Sequence, residues 1–352
     1  LKKVIELFVY SLQDKRGTEN ATYSLAKGLA NFYDVRVISL LKQDEVGVLE
    51  GICTSSLNIS SKYKIVVYLR FLFCLLFKHE IKNKIVISSS PYITTILIIF
   101  RSYISNLITI EHAPYIHFNN KFNFLRRKIY KYIDYVVCLS KEECAIFNDF
   151  SNSILLPNFI IPHKVKESYK KKKKQGFNIA FLGRFSPEKG GERFIRFAEY
   201  FLERNQESNV NFYMIGDGPL LSHFKEIIEK SKYKENIFLY PPIKNVQEVS
   251  AIIDANFVCS DYESFGLTIV EFMMLGKPTF SFDIDNGPRN IISDSYNGYL
   301  ASKYDFEKMS KVIENHLSLS DSETNEMKQN CISSFKKYDY RNAYSYWREL
   351  ID

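Results

Sequence analysis

The chain has 352 residues, 46% of them apolar and 25% charged, with a formal net charge of +7 at pH 7. That length predicts two domains, and the apolar fraction is enough for a full core in each, which excludes a disordered or fibrous protein. The small positive excess suits an anionic substrate or an anionic membrane face.

Six cysteines (Cys53, Cys74, Cys138, Cys144, Cys259 and Cys331) show no CxxC spacing and read as free thiols of a reducing compartment. The opening segment, LKKVIELFVYSLQDKRG, is too short and too soon charged for a signal peptide. The most apolar runs, 65–77 and 85–100, carry Arg70 and the break Ser88-Ser89-Ser90-Pro91, so neither supplies the ~20 apolar residues that cross a bilayer. The expectation is a cytoplasmic protein, soluble or peripheral on the membrane.

In chain order, residues 3–11 predict a strand, 13–19 a loop, 20–32 a helix and 35–41 a second strand. Gly17 lies in that first strand-to-helix turn, where a doubly wound domain places its ligand loop. Residues 60–79 predict an apolar helix flanked by Lys62, Lys64, Lys78, Lys82 and Lys84. Two readings fit it: a core helix with solvated ends, or a helix on a membrane surface with Phe71 and Phe73 dipping into the interface. A second basic group follows at Lys121, Arg126, Arg127, Lys128 and Lys131. Residues 84–90 and 107–111 predict strands, with a helix starting at Pro91. His112 stands at the carboxyl end of the 107–111 strand, where open α/β sheets bind ligands. Residues 132–140 predict a strand, Ser140 opens a helix, and 152–162 give a strand and a turn. The segment 164–175, with five lysines at 170–174, reads as the interdomain linker. It lacks interleaved aromatics, so no nucleic-acid partner is expected.

The second half opens on a predicted strand at 177–182, which breaks into Gly183-Arg184-Phe185-Ser186-Pro187-Glu188-Lys189-Gly190-Gly191 before a helix. Two cations five residues apart on such a loop can clamp two phosphates, Arg as a planar fork and Lys as a point charge. A strand at 210–215 ends in Gly216-Asp217-Gly218-Pro219, and a short strand at 237–239 leads to Tyr240-Pro241-Pro242-Ile243-Lys244. Residues 245–251 predict a helix and 251–259 a buried strand, followed by SDYESFGLTIVEFMMLG at 260–276. This stretch predicts a short acidic loop and a helix, with Ser264 as N-cap, Gly266 allowing close approach and free N–H groups offering an anion site. Glu263 precedes the helix and Glu271 lies within it, roughly 12 Å apart by helix rise and suited to gripping two parts of one extended ligand. Residues 277–282 predict a strand. The loop Asp283-Ile284-Asp285-Asn286-Gly287-Pro288 follows, then Asn297-Gly298, and a helical tail from 323 to 352 containing Trp347.

The pattern Glu263-x-Phe265-Gly266-Leu267-x-x-x-Glu271 resembles the E-x7-E signature of retaining family-4 glycosyltransferases of the GT-B fold. The order Gly-Arg…Lys-Gly, Gly-Asp-Gly-Pro, Glu-x7-Glu, Gly-Pro, Asn-Gly matches over about 120 residues, and the first half matches less closely. The resemblance implies two Rossmann-like α/β domains facing across a cleft: 1–165 joined by 336–352, and 176–335. It implies transfer of a hexose or N-acetylhexosamine from a nucleotide-sugar, a UDP-sugar above all, to a sugar hydroxyl with retention. It assigns the diphosphate to Arg184, Lys189 and the helix start at Phe265, Gly266 and Leu267, and the ribose hydroxyls to Glu271. Glu263 would face the donor sugar, and His112 sugar or phosphate. Gly17, Gly216 and Ile243 would complete the donor site, although a proline pair stands where the family carries a glycine near Ile243. Asp285, Gly287 and Pro288 resemble the acceptor-side loop of enzymes that build bacterial polysaccharides on polyprenyl-diphosphate-linked glycans, at an anionic membrane surface. No cofactor or metal is expected. Three rivals stay open: Asp283-x-Asp285 as the metal chelator of a GT-A enzyme, a nucleotide-sugar 2-epimerase or hydrolase, and a catalytically silent binding protein.

Overall fold

The structure, a computed structural model, describes residues 2–12, 17–42, 48–49, 52–162 and 174–352. Most of the predicted linker, including Lys170 to Lys173, and part of the first loop lie outside the described residues. The chain divides into two compact units, Leu1–Ile161 with Tyr338–Asp352, and Pro162–Lys337.

The first unit is built on the strands β1 (Val4–Val9), β2 (Asp34–Leu41), β3 (Val48–Leu49), β4 (Ile52–Ile59), β5 (Ile85–Ser88), β6 (Asn106–Glu111), β7 (Tyr135–Cys138) and β8 (Ser153–Leu155). Their order in the sheet is β3-β4-β2-β1-β5-β6-β7-β8, parallel except for β3 against β4. Strands such as VIELFV and IVIS are apolar almost throughout, as parallel strands covered on both faces must be. The connections carry α1 (Gly17–Leu29), α2 (Lys64–Phe77), α3 (Pro91–Leu97), α4 (Asn120–Ile129) and α5 (Lys141–Asn148). Pro91 opens α3 at its first turn, and the Ser140 hydroxyl caps α5 by accepting the Glu143 N–H at 3.2 Å. Sequence reading does not anticipate β4: ICTSSLNI has no apolar period, and it is held by backbone pairing to β2 from Arg36↔Cys53 onward.

Three surface expectations need correction, those for Phe71, Lys84 and Arg126, the last of which is fully buried against Glu111. Phe71 does not reach an interface, because it is fully buried with its ring 5.5 Å from that of Phe8. Lys84 is not a free surface cation: it donates to Glu6 Oε1 at 2.8 Å, while His79 Nε2 meets Glu6 Oε2 at 2.7 Å. Burial opposes the charge on Glu6, but these two partners hold its carboxyl below the usual range.

The second unit contains β9 (Phe177–Leu182), β10 (Val210–Ile215), β11 (Ile237–Tyr240), β12 (Ala255–Val258), β13 (Thr279–Phe282) and β14 (Tyr299–Ala301). The order is β11-β10-β9-β12-β13-β14 with every pair parallel, the doubly wound arrangement. Its helices are α6 (Gly191–Arg204), α7 (Leu221–Lys230), α8 (Leu267–Met274), α9 (Pro288–Ile291), α10 (Phe306–Leu317) and α11 (Asp321–Phe335). Phe194, Phe197 and Phe201 line the buried face of α6 at helical spacing and meet Phe212 of β10. The strand expected at 251–259 is shortened to Ala255–Val258. Residues ahead of it are held by Asn178, which donates its amide to Ile252 O at 2.7 Å and its N–H to Asp254 Oδ2 at 3.0 Å.

The helical tail expected from 323 comprises the end of α11 and a separate last helix. A capping box at Ser320 and Glu323 starts α11, two 3-10 turns follow, and α12 (Ala343–Ile351) returns to the first unit's own core. There Tyr344 stacks on Phe32 with ring centroids 3.7 Å apart, Trp347 is buried, and Lys3 Nζ donates to Ile351 O at 3.1 Å.

Arg126 of α4 carries a fully enclosed charge. Its guanidinium donates to Glu111 Oε2 at 2.7 Å and to Asn123 Oδ1 at 3.1 Å, and the Tyr130 hydroxyl donates to Glu111 Oε1 at 2.7 Å. Both side chains of the ion pair are fully buried. Phe118, Phe147, Tyr115 and Tyr130 surround the guanidinium at 4.8–5.1 Å. Removing one partner strands the other charge in the core, so Arg126→Ala is expected to cost about 3–5 kcal/mol of stability. The double change Arg126→Met with Glu111→Leu should cost clearly less. Denaturant unfolding of both variants checks the pair of values.

Candidate active site

In the second unit the strand order turns around between β9 and β12, which pair at Ala255↔Ile179 and Asn256↔Ala180. Right-handed crossovers carry the chain away from that point in opposite directions and leave the carboxyl ends of the two strands open to a ligand. The loop after β9 bears Arg184 and Lys189, and the loop after β12 bears Glu263.

These loops meet. Lys189 Nζ donates to Glu263 Oε1 at 2.6 Å, and the Ser260 hydroxyl donates to the same oxygen at 2.7 Å. Lys189 is placed by a 3-10 turn, Pro187–Lys189, tied to the other loop by the Asp261 N–H donating to Glu188 O at 2.8 Å. Burial works against the Lys189 charge, yet the Glu263 carboxylate holds its ammonium pKa above the ordinary value. Arg184 is exposed; its carbonyl accepts the Ser186 N–H at 3.0 Å, while its guanidinium has no hydrogen bond or salt bridge among the described residues. Gly183, the residue before it, lies so close to Gly216 that a side-chain carbon at 216 would overlap the Gly183 carbonyl oxygen. The loops after β9 and β10 therefore form one floor.

Helix α8 starts later than the sequence suggests. Its N-cap is Gly266, in the left-handed region at φ 98°, and not Ser264. Leu267 and Thr268 carry the first-turn N–H groups that no intrahelical acceptor can satisfy. Glu263 thus stands outside the helix and Glu271 inside it, so their separation is not a helix rise. Glu271 is largely enclosed, and burial pushes its carboxyl up to about 7.

The loop after β13 packs against the same residue: a side-chain carbon at Gly287 would sit 2.6 Å from Glu263 Cβ, next to the Pro288 that opens α9. Arg289 bonds Asp283 at 2.9 Å and pairs with Asp285 at 3.5 Å, so the Asp-x-Asp pair already holds a cation of the chain itself. Among the described residues no group of three His, Cys, Asp or Glu side chains has the geometry of a metal site. Ile243 follows the edge strand β11 and packs half-buried against the cluster around Val246 and Ile253. Phe265 is buried.

His112 and Gly17 belong to the first unit. His112 follows β6 directly, and its Nε2 is shielded from solvent with no partner among the described residues. It lines a small cavity together with Thr22, Asn158 and Trp347. Burial lowers its pKa to about 4, so the ring is neutral near pH 7. Gly17 is exposed as the first residue of α1, after β1.

Two participants escape sequence reading. Ser260 bonds Glu263 at a Ser-x-x-Glu spacing that reads equally well as a cap. Arg193 of α6 donates to Cys259 O and to Asp261 Oδ1 at 2.7 Å, and stacks on the Tyr304 ring at 3.7 Å, fixing the start of the Glu263 loop. No local pattern could reveal a contact between residues 68 apart in the chain.

Residues 164–337, just under half of the chain, match the family described as "Glycosyl transferases group 1". The chain is 26% identical over 184 residues to a poly(ribitol-phosphate) alpha-N-acetylglucosaminyltransferase of Staphylococcus aureus. It is 28% identical over 136 residues to a poly(glycerol-phosphate) alpha-glucosyltransferase of Bacillus subtilis. The matches cover 51% and 38% of this chain, but only 35% and 20% of the length of those relatives. The crystal structure of Anabaena HepE in complex with UDP and glucose is similar over 100% of this chain and 99% of that one, with a TM-score of 0.80 and 15% identity. The fold is GT-B. In this GT-B chain the family match covers the second unit, which holds Arg184, Lys189, Glu263 and Glu271.

The enclosed Glu271 gives a test that needs no substrate. Its carboxyl takes up a proton more readily in the folded GT-B unit than in the unfolded chain, so stability falls as pH rises from about 4.5 to 7. Glu271→Gln removes that dependence. The variant should melt above the unaltered protein at pH 8 and alongside it at pH 4, as followed by circular dichroism.

Proposed function

We propose that this protein is a retaining, family-4-type glycosyltransferase that moves a hexose or N-acetylhexosamine from a UDP-sugar to a hydroxyl of a glycan carried on a polyprenyl diphosphate. It acts at the cytoplasmic face of the plasma membrane, in the synthesis of a cell-surface polysaccharide such as lipopolysaccharide or capsule. The observation that carries the reading is the Lys189–Glu263 contact at the turning point of the second sheet, on the loop that also carries the exposed, unbridged guanidinium of Arg184. The structural likeness to a protein that binds UDP and glucose, and the partial likeness to enzymes named for transfer onto anionic polymers, support it.

The chemistry follows from charge. Breaking the bond between the anomeric carbon and the diphosphate builds negative charge on the leaving oxygen and positive charge on the sugar. Arg184, Lys189 and the first N–H groups of α8 stabilise the diphosphate as that charge develops. An incoming diphosphate competes with Glu263 for Lys189, which frees the Glu263 carboxylate to bond the donor sugar and steady its positive charge. Glu271 accepts hydrogen bonds from the ribose hydroxyls. Gly17, Gly216 and the backbone near Ile243 complete the donor contacts, while Asp285, Gly287 and Pro288 belong to the acceptor side. His112, neutral near pH 7, serves as a hydrogen-bonding group and supplies no charge. The reaction requires no divalent metal, because cationic side chains hold the leaving group and Arg289 already engages Asp283 and Asp285.

The test is UDP release from a panel of UDP-sugars with and without a lipid-linked oligosaccharide, with product read by mass and anomeric configuration by NMR. Acceptor-dependent release with retained configuration is expected, and it should persist in excess EDTA. Release that ignores the acceptor would mean a hydrolase, and loss with EDTA restored by Mg²⁺ would overturn the metal-free mechanism. Arg184→Ala and Lys189→Ala should each lower kcat by about 10²–10³-fold with the fold intact. Near-normal turnover in both would remove them from the phosphate clamp.

A further inference from the structure

The first unit distributes charge and apolar surface very unevenly. Residues 52–133 contain twelve lysines and arginines against two carboxylates; Arg126, Lys84 and Arg101 are paired with Glu111, Glu6 and Asp134, which leaves nine. The same region holds thirteen of the nineteen large hydrophobic side chains exposed among the described residues.

The exposed apolar groups are ordered. On α2, Val67, Phe71 and Leu75 face the core, while Ile65, Leu69, Phe73, Leu76 and Phe77 form a stripe on the opposite, outer face. Ile65 and Phe77 are each 70% exposed, and the Phe73 and Phe77 rings lie 4.7 Å apart, so the stripe continues to the end of the helix. A helix apolar on both faces ordinarily has both faces covered. At 14 residues, α2 is too short to cross a bilayer, and no helix among the described residues is long and apolar enough to do so. Helix α2 is joined to α4 by contacting rings: the half-buried Tyr68 meets Tyr92 at 5.6 Å, and Tyr92 stacks on Phe122 at 4.5 Å. On α4, Phe124 and Leu125 are exposed, with the Lys128 ammonium 5.4 Å from the Phe124 ring. Lys62, Lys64, Lys78 and Lys82 stand exposed at the two ends of α2, and Lys121, Lys128 and Lys131 along and beyond α4.

We infer that α2 and α4 together form one docking face for an anionic lipid bilayer. The outer stripe of α2 and the Phe124–Leu125 corner of α4 enter the interface, and the surrounding lysines meet the headgroups. The inference rests on the membrane-located acceptor proposed above and assigns that location to particular side chains. Charge complementarity selects the occupant. A second copy of the chain on this face would set the same cations against one another, whereas an anionic leaflet neutralises them and covers the apolar stripe at once.

The experiment is flotation of the full chain with vesicles of phosphatidylcholine alone or with 30% phosphatidylglycerol, no substrate being present. Leu69→Ser/Phe73→Ser/Phe77→Ser, Lys62→Glu/Lys64→Glu/Lys78→Glu/Lys82→Glu and Lys121→Glu/Lys128→Glu/Lys131→Glu are compared with the unaltered protein. All these side chains are exposed, so each variant should keep its circular dichroism and melting temperature. The unaltered protein should float with the anionic vesicles, less as salt rises, and each set should lower binding at least tenfold. Equal flotation with neutral vesicles, or none with either, overturns the inference. So does unaltered binding of the α4 set, which would leave α2 acting alone. A dimer in light scattering that the Leu69/Phe73/Phe77 set turns into a monomer would also overturn it, by assigning the stripe to a second copy. Because flotation uses no donor, a chain that floats but releases no UDP fails only as a glycosyltransferase. One that turns over a soluble acceptor but never floats fails only here.

Discussion

Strands β9 and β12 are neighbours although two helices, two strands and their connections separate them in the chain, and the candidate site depends on that pairing. It fixes how far apart the two loops that follow them stand. Lys189 on one and Glu263 on the other then close to hydrogen-bond distance without help from any shared helix. The close approach of Gly216 to Gly183 and of Gly287 to Glu263 extends the same constraint to β10 and β13. Four strand ends thus converge on one carboxylate and one pair of cations.

Two ion pairs in this molecule show how solvent decides what a pair is for. Glu111 and Arg126 are wholly enclosed, and most of the polar atoms around them have partners; such a pair cannot open without leaving a bare charge in the core. It anchors α4 to the end of β6. Lys189 and Glu263 remain partly open to water, as a pair that an incoming anion could reach must be. Glu263 also keeps its second oxygen clear of any partner among the described residues.

The same contrast separates the roles of apolar residues in the first unit. Phe71 and Phe73 are two positions apart on α2, yet one packs against Phe8 in the core and the other lies exposed beside Phe77. Composition cannot assign them, because both are phenylalanines in an apolar run. The helix period assigns them only once it is known which face meets the sheet.

The strands and most helices of both units were legible because parallel strands buried on both faces read as short apolar runs, with Gly, Pro and Ser marking where they break. The glycine-rich loop carrying Arg184 and Lys189, and the Glu-x7-Glu stretch, were legible for the same local reason. What escaped was every feature made by residues distant in sequence. The strand at Ile52–Ile59 has no apolar period and exists through its ladder with β2. The cap of α8 went to Gly266 and not Ser264, because the turn after β12 takes a left-handed residue there. Lys84 belongs to Glu6, Arg289 to Asp283 and Asp285, and Arg193 to the loop of Glu263. Sequence by itself determined most element types, the doubly wound class and which charged groups stand on the loops after the strands, since these depend on neighbours within a few residues. Only the tertiary structure decided which charges are already partnered and which apolar faces stay uncovered, because both depend on segments that the fold, and not the chain order, brings together.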